Sequence, residues 1–458
     1  MTERPPPIAP VGLLAATGTG AHGRGLDALA QLLADNRSAL RANDLPGLDL
    51  ATAIGRVDGL ESLAWPAAWA AWDSRATRLA WLGLQADGFI DAVAAARARH
   101  GAARIGLVLG TSSSTIAVSE AAYRALEADG GFPAALRHPA LHTPHPVTAF
   151  VQQALAIEGP ALTVSTACSS SAKALAVAER WLRLQLVDAV VAAGVDALGG
   201  SLLHGFRSLG VLDGEPCRPF DATRRGISIG EASAYVLVER GDAAVRLLGH
   251  GERNDAHHMS SPHPQGLGAE QALDDALARA GMDAGAVDFV NLHGTGTPAN
   301  DEVEAALVTR RYAAGTHVCA TKGLTGHTMG AAGLLEALVC ALALQRGLLA
   351  GSAPTARPDP ALGAAFAERW RPAPVQRRIR HAVSHAFGFG GNNAVLVLGC
   401  SRRSTCRGWA GGRRPGPTGR RPPQPCAARS PMRHRRPPVA RHPPGSVPTS
   451  AAAPPTAC

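Results

Sequence analysis

The chain has 458 residues, 46% of them hydrophobic and only 4% aromatic, which is ample for a large buried core and too long for one simple domain. Its net charge of +9 sits at one end: residues 401–458 hold twelve Arg and no Lys, Asp or Glu, leaving −3 for the first 400. A near-neutral body argues against a nucleic-acid surface, and eight cysteines without a CxxC pair argue against a disulfide framework or a zinc site. No run of about 18 uncharged apolar residues suggests a membrane span. The proline-rich, acid-containing N-terminus is a poor signal peptide, so the expected compartment is the cytoplasm.

In chain order, the apolar segment PIAPVGLLAATGTG leads into GTGAHG at 18–23, which fits GxGxxG. It lacks a suitably placed ribose-binding acid and reads as a turn after the first strand, not a dinucleotide site. Strands are expected at 104–109, 160–166, 188–195, 233–239, 287–292, 381–386 and 394–398, and helices at 25–34, 271–280 and 301–310 among others. Most of the strands lack a strict period of two, as strands buried on both faces do. Alternation of such strands with Ala/Leu-rich helices predicts an α/β fold whose sheets are covered by helices.

Two stretches share a layout. In the first, strand 161–166 runs through Ala167 and Cys168 into a helix over 169–186. In the second, strand 317–320 and a Gly-rich loop run through Gly326 and His327 into a helix over 328–345, apolar almost all round and therefore expected to be buried. Each helix presents a chemically capable side chain at its start, so we expect two similar halves whose central helices meet at one site.

The chemistry-bearing residues cluster in four motifs. VSTACSSSAKALA places Cys168 on a tight strand-to-helix turn, where a helix N-terminus favours thiolate and leaves backbone N–H groups free for an oxyanion. Taken alone, this cysteine is as readily a buried structural residue. FVNLHGTGTPANDEVEA sets His293 just after a strand, with Thr295 and Thr297 able to donate to amide carbonyls of a long substrate arm, and with Asp301 and Glu304 following. ATKGLTGHTMGAAGLLEAL supplies Lys322, His327 and Glu336, and SHAFGFGGNNAVL supplies Phe387 and Phe389 in a Gly-rich turn beside Asn392 and Asn393. His257, His258 and His263, and likewise His142 and His145, have no Cys or carboxylate at ligand spacing. We read them as loop histidines near a substrate tunnel, and expect no metal.

TACSSSA, HGTGTPAND, KGLTGHTMGAAG and GFGGNN, in this order, resemble the β-ketoacyl-acyl carrier protein synthase family, over roughly residues 8–400. The segment 217–239, CRPFDATRRGISIGEASAYVLVE, resembles it too. The resemblance implies a thiolase-like five-layer α-β-α-β-α fold with two similar halves: 8–240 carrying the nucleophilic cysteine, 241–400 carrying two active-site histidines, and 401–458 a disordered Arg/Pro-rich tail. It implies an acyltransferase that condenses malonyl-acyl carrier protein, with loss of CO₂, onto an acyl chain held by Cys168. The oxyanion hole would be the N–H groups of Cys168 and Phe389. His293 and His327 would bind the malonyl thioester carbonyl, Lys322 and Glu336 would tune them, and Thr295 and Thr297 would hold the pantetheine arm. Phe389, between Gly388 and Gly390, would contact substrate as a gate. No cofactor is implied beyond the phosphopantetheine arm of the carrier protein, and the partners implied are acyl carrier protein and a second subunit, in a homodimer or a heterodimer with a related synthase-like chain. The rival readings are a chain-length-factor-like partner without catalysis, which would normally lack the nucleophile, and a thiolase-type acyl-CoA enzyme, which would carry a second active cysteine where this chain has GFGGNN.

Overall fold

The computed structural model describes residues 5–137 and 139–401; the expected tail, Ser401 apart, lies outside the described residues. The first half runs β1 (Val11–Gly20), α1 (Gly25–Asp35), α2 (Arg75–Leu84), α3 (Phe89–His100), β2 (Ile105–Gly110), α4 (Pro146–Ala154), β3 (Ala161–Val164), α5 (Ser170–Arg183), β4 (Ala189–Asp196), α6 (Gly200–Ser208) and β5 (Ala232–Arg240). The second runs β6 (Val245–Asn254), α7 (Leu267–Ala280), β7 (Phe289–Asn291), α8 (Pro298–Arg311), β8 (His317–Cys319), α9 (Ala332–Arg346), β9 (His381–Gly388) and β10 (Asn392–Cys400).

The strands of the first half lie in the order β1-β5-β4-β2-β3, and those of the second in the order β6-β10-β9-β7-β8. Ranked along the chain, both read first, fifth, fourth, second, third. Strand directions match as well. β2 is parallel to β3 and β4 while β5 is antiparallel to β4 and β1; β7 is parallel to β8 and β9 while β10 is antiparallel to β9 and β6. In each half a long helix follows the third strand, α5 after β3 and α9 after β8. The duplication expected from two look-alike stretches is thus a property of the whole topology. The halves join where β1 pairs antiparallel with β6, Val11 opposite Leu247.

Burial follows this plan. Leu79, Phe89 and Phe150 of α2–α4 pack on Val191 and Tyr235, on one outer face. Leu273, Ala276 and Leu307 of α7 and α8 pack on Val290, Val383 and Val397, on the other. Between the sheets, Leu175 and Ala178 of α5 and Leu338 and Leu342 of α9 share a core with Val190, Val236, Leu396 and Leu398. The layers therefore alternate helix, sheet, helix, sheet, helix. The stretch Met329–Arg346 is long and apolar enough to cross a membrane, but 89% of it is buried inside the protein, as the core position of α9 requires. The two central helices nearly touch: a Cβ on Gly333 would sit 2.8 Å from that of Ala172. Ser171 Oγ of α5 accepts the N–H of Leu334 at 2.8 Å, satisfying one of the first N–H groups of α9.

Asp196, at the end of β4, is a second tie between halves. Its buried carboxylate accepts from the N–H groups of Ser112, Ser113 and Gly330 at 2.7, 2.9 and 2.6 Å, and from the hydroxyl of Thr111 at 2.6 Å. Gly330 lies between His327 and α9, so the loop after β2 and the approach to α9 hang on one charged group.

Candidate active site

Cys168 stands between β3 and α5, on a turn closed by its own neighbours. Thr166 N–H donates to Ser170 Oγ at 2.9 Å, and Ser169 Oγ donates to Thr166 O at 2.9 Å. Ala167 takes a left-handed φ of +53°, costing on the order of 1 kcal/mol for a residue with a Cβ. The small residues of the motif make that turn, and it aims the thiol at the second half of the molecule.

There the thiol meets an imidazole: His327 Nε2 is 3.0 Å from Cys168 Sγ. His327 is held from behind by the segment that follows Cys217. Its N–H donates to Ser228 O at 2.7 Å, and its carbonyl accepts from Gly230 N–H at 2.9 Å. The His293 ring lies 5.4 Å from the His327 ring and nearly perpendicular to it, at 86°. Lys322, in the short helix Lys322–Thr325, places its ammonium 3.3 Å from His293 Nδ1 and also bonds His293 O and Glu336 Oε1. Because an ammonium only donates, Nδ1 of His293 is the acceptor and the ring proton sits on Nε2.

Burial sets the electrostatics. It pushes the Cys168 thiol up to about 11, against Lys322 and the Phe389 N–H, which pull the other way. The resting group is a thiol, not the thiolate that its place at a helix start leads one to expect: losing water outweighs the helix terminus at 5% exposure. Burial, and then Lys322, hold both His293 and His327 well below the usual imidazole range, so both are neutral near pH 7. Burial also pushes Glu336 up to about 7, opposed by its pairing with Lys322.

The loop carrying His293 is cradled by α8. Glu304 accepts the N–H groups of His293 and Gly294, each at 2.8 Å, and Asp301 accepts that of Phe220 at 2.7 Å. Thr295 and Thr297 bond each other at 2.8 Å and line the same cavity of about 220 Å³ as Cys168, His293 and His327. Gly388 and Phe389 line it too, and a Cβ on Gly388 would sit 3.1 Å from Cys168 N. Gly390 does not line the cavity; its N–H goes to Met259 O at 2.7 Å, so it shapes the turn. Lys322 and Glu336 lie behind the imidazoles.

Several wall residues carry no sequence signal. Phe206 of α6 stacks on Phe389 with ring centroids 5.8 Å apart. The loop after β6 contributes Asp255, Ser260 and Pro262 to the wall, and Asp255 accepts from Asn393 at 2.9 Å. His257 and His263 of that loop face each other at 5.1 Å, and His142 is held by Ser119 at 2.8 Å. The ligand-type atoms of Cys168, His293 and His327 lie within 4.8 Å of one another, the spacing of a possible cation site. The Lys322 ammonium beside His293 works against a cation there.

Comparison with known proteins agrees with this geometry. Family models described as beta-ketoacyl synthase, N-terminal domain, and beta-ketoacyl synthase, C-terminal domain, match residues 75–244 and 244–355. Nodulation protein E of Rhizobium meliloti (strain 1021) is 33% identical over 311 residues, covering 65% of this chain and 76% of the relative. The mitochondrial 3-oxoacyl-[acyl-carrier-protein] synthase of Arabidopsis thaliana is 34% identical over 264 residues, 53% of this chain and 56% of its own. Among solved structures, that of a ketosynthase (ApeO) in complex with its chain length factor (ApeC) from Xenorhabdus doucetiae matches with a TM-score of 0.78 at 35% identity, over 86% of this chain and 98% of that one.

Proposed function

The chain belongs to the β-ketoacyl synthase family and is a condensing enzyme, and from that premise we propose how its residues divide the decarboxylative Claisen condensation of a malonyl thioester with a Cys168-bound acyl chain. The observation that carries the proposal is the 3.0 Å contact between Cys168 Sγ and His327 Nε2, with the His293 ring 5.4 Å further on.

In the acylation step the thiol of Cys168 gives its proton to His327 as sulfur attacks the thioester carbonyl of the incoming acyl chain. The N–H groups of Cys168 and Phe389 take up the oxyanion, and the carrier's thiol leaves with a proton. In the second step malonyl loses CO₂, and the electron pair left behind forms an enolate. No strong base is required. What the site must supply is donors to the enolate oxygen, and His293 Nε2–H, its tautomer fixed by Lys322, is one; His327 is the other once its ring proton sits on Nε2 and not on Nδ1. The enolate carbon then attacks the Cys168 thioester, and the thiolate released takes up a proton from solvent, the one proton that the overall condensation consumes.

Thr295 and Thr297 are placed to bond the amides of a pantetheine arm, whose carrier protein is the proposed partner. A related synthase-like chain is the proposed second subunit, supported by the ketosynthase–chain length factor relative and by β3, an edge strand whose Leu162 is exposed. We propose a cytoplasmic enzyme without metal or cofactor of its own. The non-catalytic reading has no support from a site that keeps thiol and both imidazoles. The thiolase reading has none from the other described cysteines, which lie outside the cavity wall.

The test is intact-mass analysis with acyl- and malonyl-carrier proteins. Cys168→Ala is expected to take up no acyl group. His293→Ala is expected to become acylated yet release CO₂ from malonyl carrier protein at least about a hundredfold more slowly. An acylated Cys168→Ala protein, or normal CO₂ release by His293→Ala, would sink the assignment.

A further inference from the structure

Behind His293 lies a buried polar chain that the steps above leave without a task. Tyr312 Oη is 2.8 Å from His385 Nε2, and His385 Nδ1 is 2.9 Å from Glu304 Oε1. The same Oε1 accepts the backbone N–H of His293 at 2.8 Å, and Oε2 accepts that of Gly294. Glu304 and His385 are fully buried, and Tyr312 and His293 are 3% exposed. The bonds have one direction. A carboxylate only accepts, so the His385 proton sits on Nδ1, and Nε2 accepts from the tyrosine. Burial holds Tyr312 well above the usual phenol range, which keeps that proton in place.

His385 reaches His293 by packing as well. It shares a face of β9 with Phe387, two residues on. Its ring is 5.1 Å from that of Phe387, which is 5.8 Å from the His293 ring. One imidazole therefore braces both the backbone of His293, through Glu304, and the plane of its ring, through Phe387. Neither Cys168 nor His327 is bonded to any member of this chain.

We propose that His385 is a positioning residue for the decarboxylation step, with Tyr312 locking its tautomer; the proposal rests on the role assigned to His293. A buried imidazole with both nitrogens engaged is costly to leave half-paired, and its loss would let the His293 loop drift by the fraction of an ångström that the enolate contact cannot absorb.

The full-length enzyme is tested as His385→Leu, His385→Asn and Tyr312→Phe. The measurements are CO₂ release from malonyl carrier protein, as kcat and KM, and Cys168 acylation by mass. His385→Leu is expected to lose about ten- to a hundredfold in kcat for CO₂ release, with KM and acylation within about twofold of the parent. His385→Asn, which keeps a donor for Glu304, is expected to recover most of that loss, and Tyr312→Phe to show a smaller drop of the same kind. If His385→Leu does not fold, the drop in Tyr312→Phe carries the test, since that change deletes a single oxygen. Acylation and CO₂ release falling together, or CO₂ release at the parent rate in Tyr312→Phe and His385→Leu while His293→Ala is inactive, would overturn the proposal. Parent-rate CO₂ release by His293→Ala would overturn the role of His293 instead.

Discussion

At the scale of single residues, Cys168 is governed by a contest between its helix and its burial. A helix terminus contributes at most about 2 kcal/mol to an adjacent charge, whereas taking a thiolate out of water costs more, and the thiol rises to about 11. The proton therefore stays on sulfur until a substrate arrives, and His327 at 3.0 Å is the base at hand. Two pH dependences follow. Iodoacetamide inactivation of the resting enzyme is expected to rise about tenfold per pH unit through neutrality and on towards pH 11. A plateau reached below about pH 8 would reveal a thiolate–imidazolium pair instead. Conversely, the two histidines are held well below 6.5, so the rate of CO₂ release is expected to stay level as pH falls past about 6.5, with its acid limb below. An acid limb centred at the ordinary imidazole value would contradict neutral, buried donors.

At the scale of elements, what matters is how closely helices approach each other and the sheets. β6 went unrecognised in the sequence because α7 crosses it at contact: a Cβ on Gly251 would lie 1.8 Å from Ala272 O, so glycine stands where a strand pattern would place an apolar side chain. β4 was legible because Ala189–Ala193 is an unbroken apolar run, and it is buried along all eight residues even though its Gly194 is packed closely against Ser171. The crossing of α5 and α9 at Ala172 and Gly333 yields a paired test. Gly333→Val is expected to destabilise by about 1–3 kcal/mol, because both helices are pinned by the sheets they cover. Gly205→Ala in α6, where a new Cβ meets nothing within 4 Å, is expected to be neutral or to stabilise by up to about 1 kcal/mol. Thermal unfolding of the two variants decides it; equal effects would mean that the helices can separate without strain.

At the scale of the whole molecule, the buried titratable groups set the response to pH. Burial lowers His22 and His317 to about 4, and holds His293 and His327 well below the usual imidazole range. In the unfolded chain all four take up protons near 6.5, so stability is fully present above that value and is lost as pH falls through it. Asp301 and Glu336, raised to about 7 by burial, act in the opposite sense and are fewer. Below about 4.5 the loss continues, because the unfolded chain protonates Asp188 and Glu252 while the fold holds both at about 2, the first by Arg104 and the second, despite burial, by His250 and Arg180. The melting temperature is accordingly expected to fall steadily from pH 7 to pH 4; a rise on acidification to pH 5 would mean that the two buried acids dominate.

The residue types of the reaction centre, the turn that presents Cys168 and the all-apolar character of α9 were legible along the chain, because each depends on neighbours within a few positions. The two similar halves were legible only as a hint, from two stretches with one layout. Their shared strand order emerges only when strands far apart in sequence pair. The protonation of Cys168, the wall contributed by Phe206 and Asp255, and the chain from Tyr312 through His385 to Glu304 were decided by the tertiary structure alone. Desolvation and hydrogen-bond partners come from segments tens to hundreds of residues away, and only packing brings them within reach.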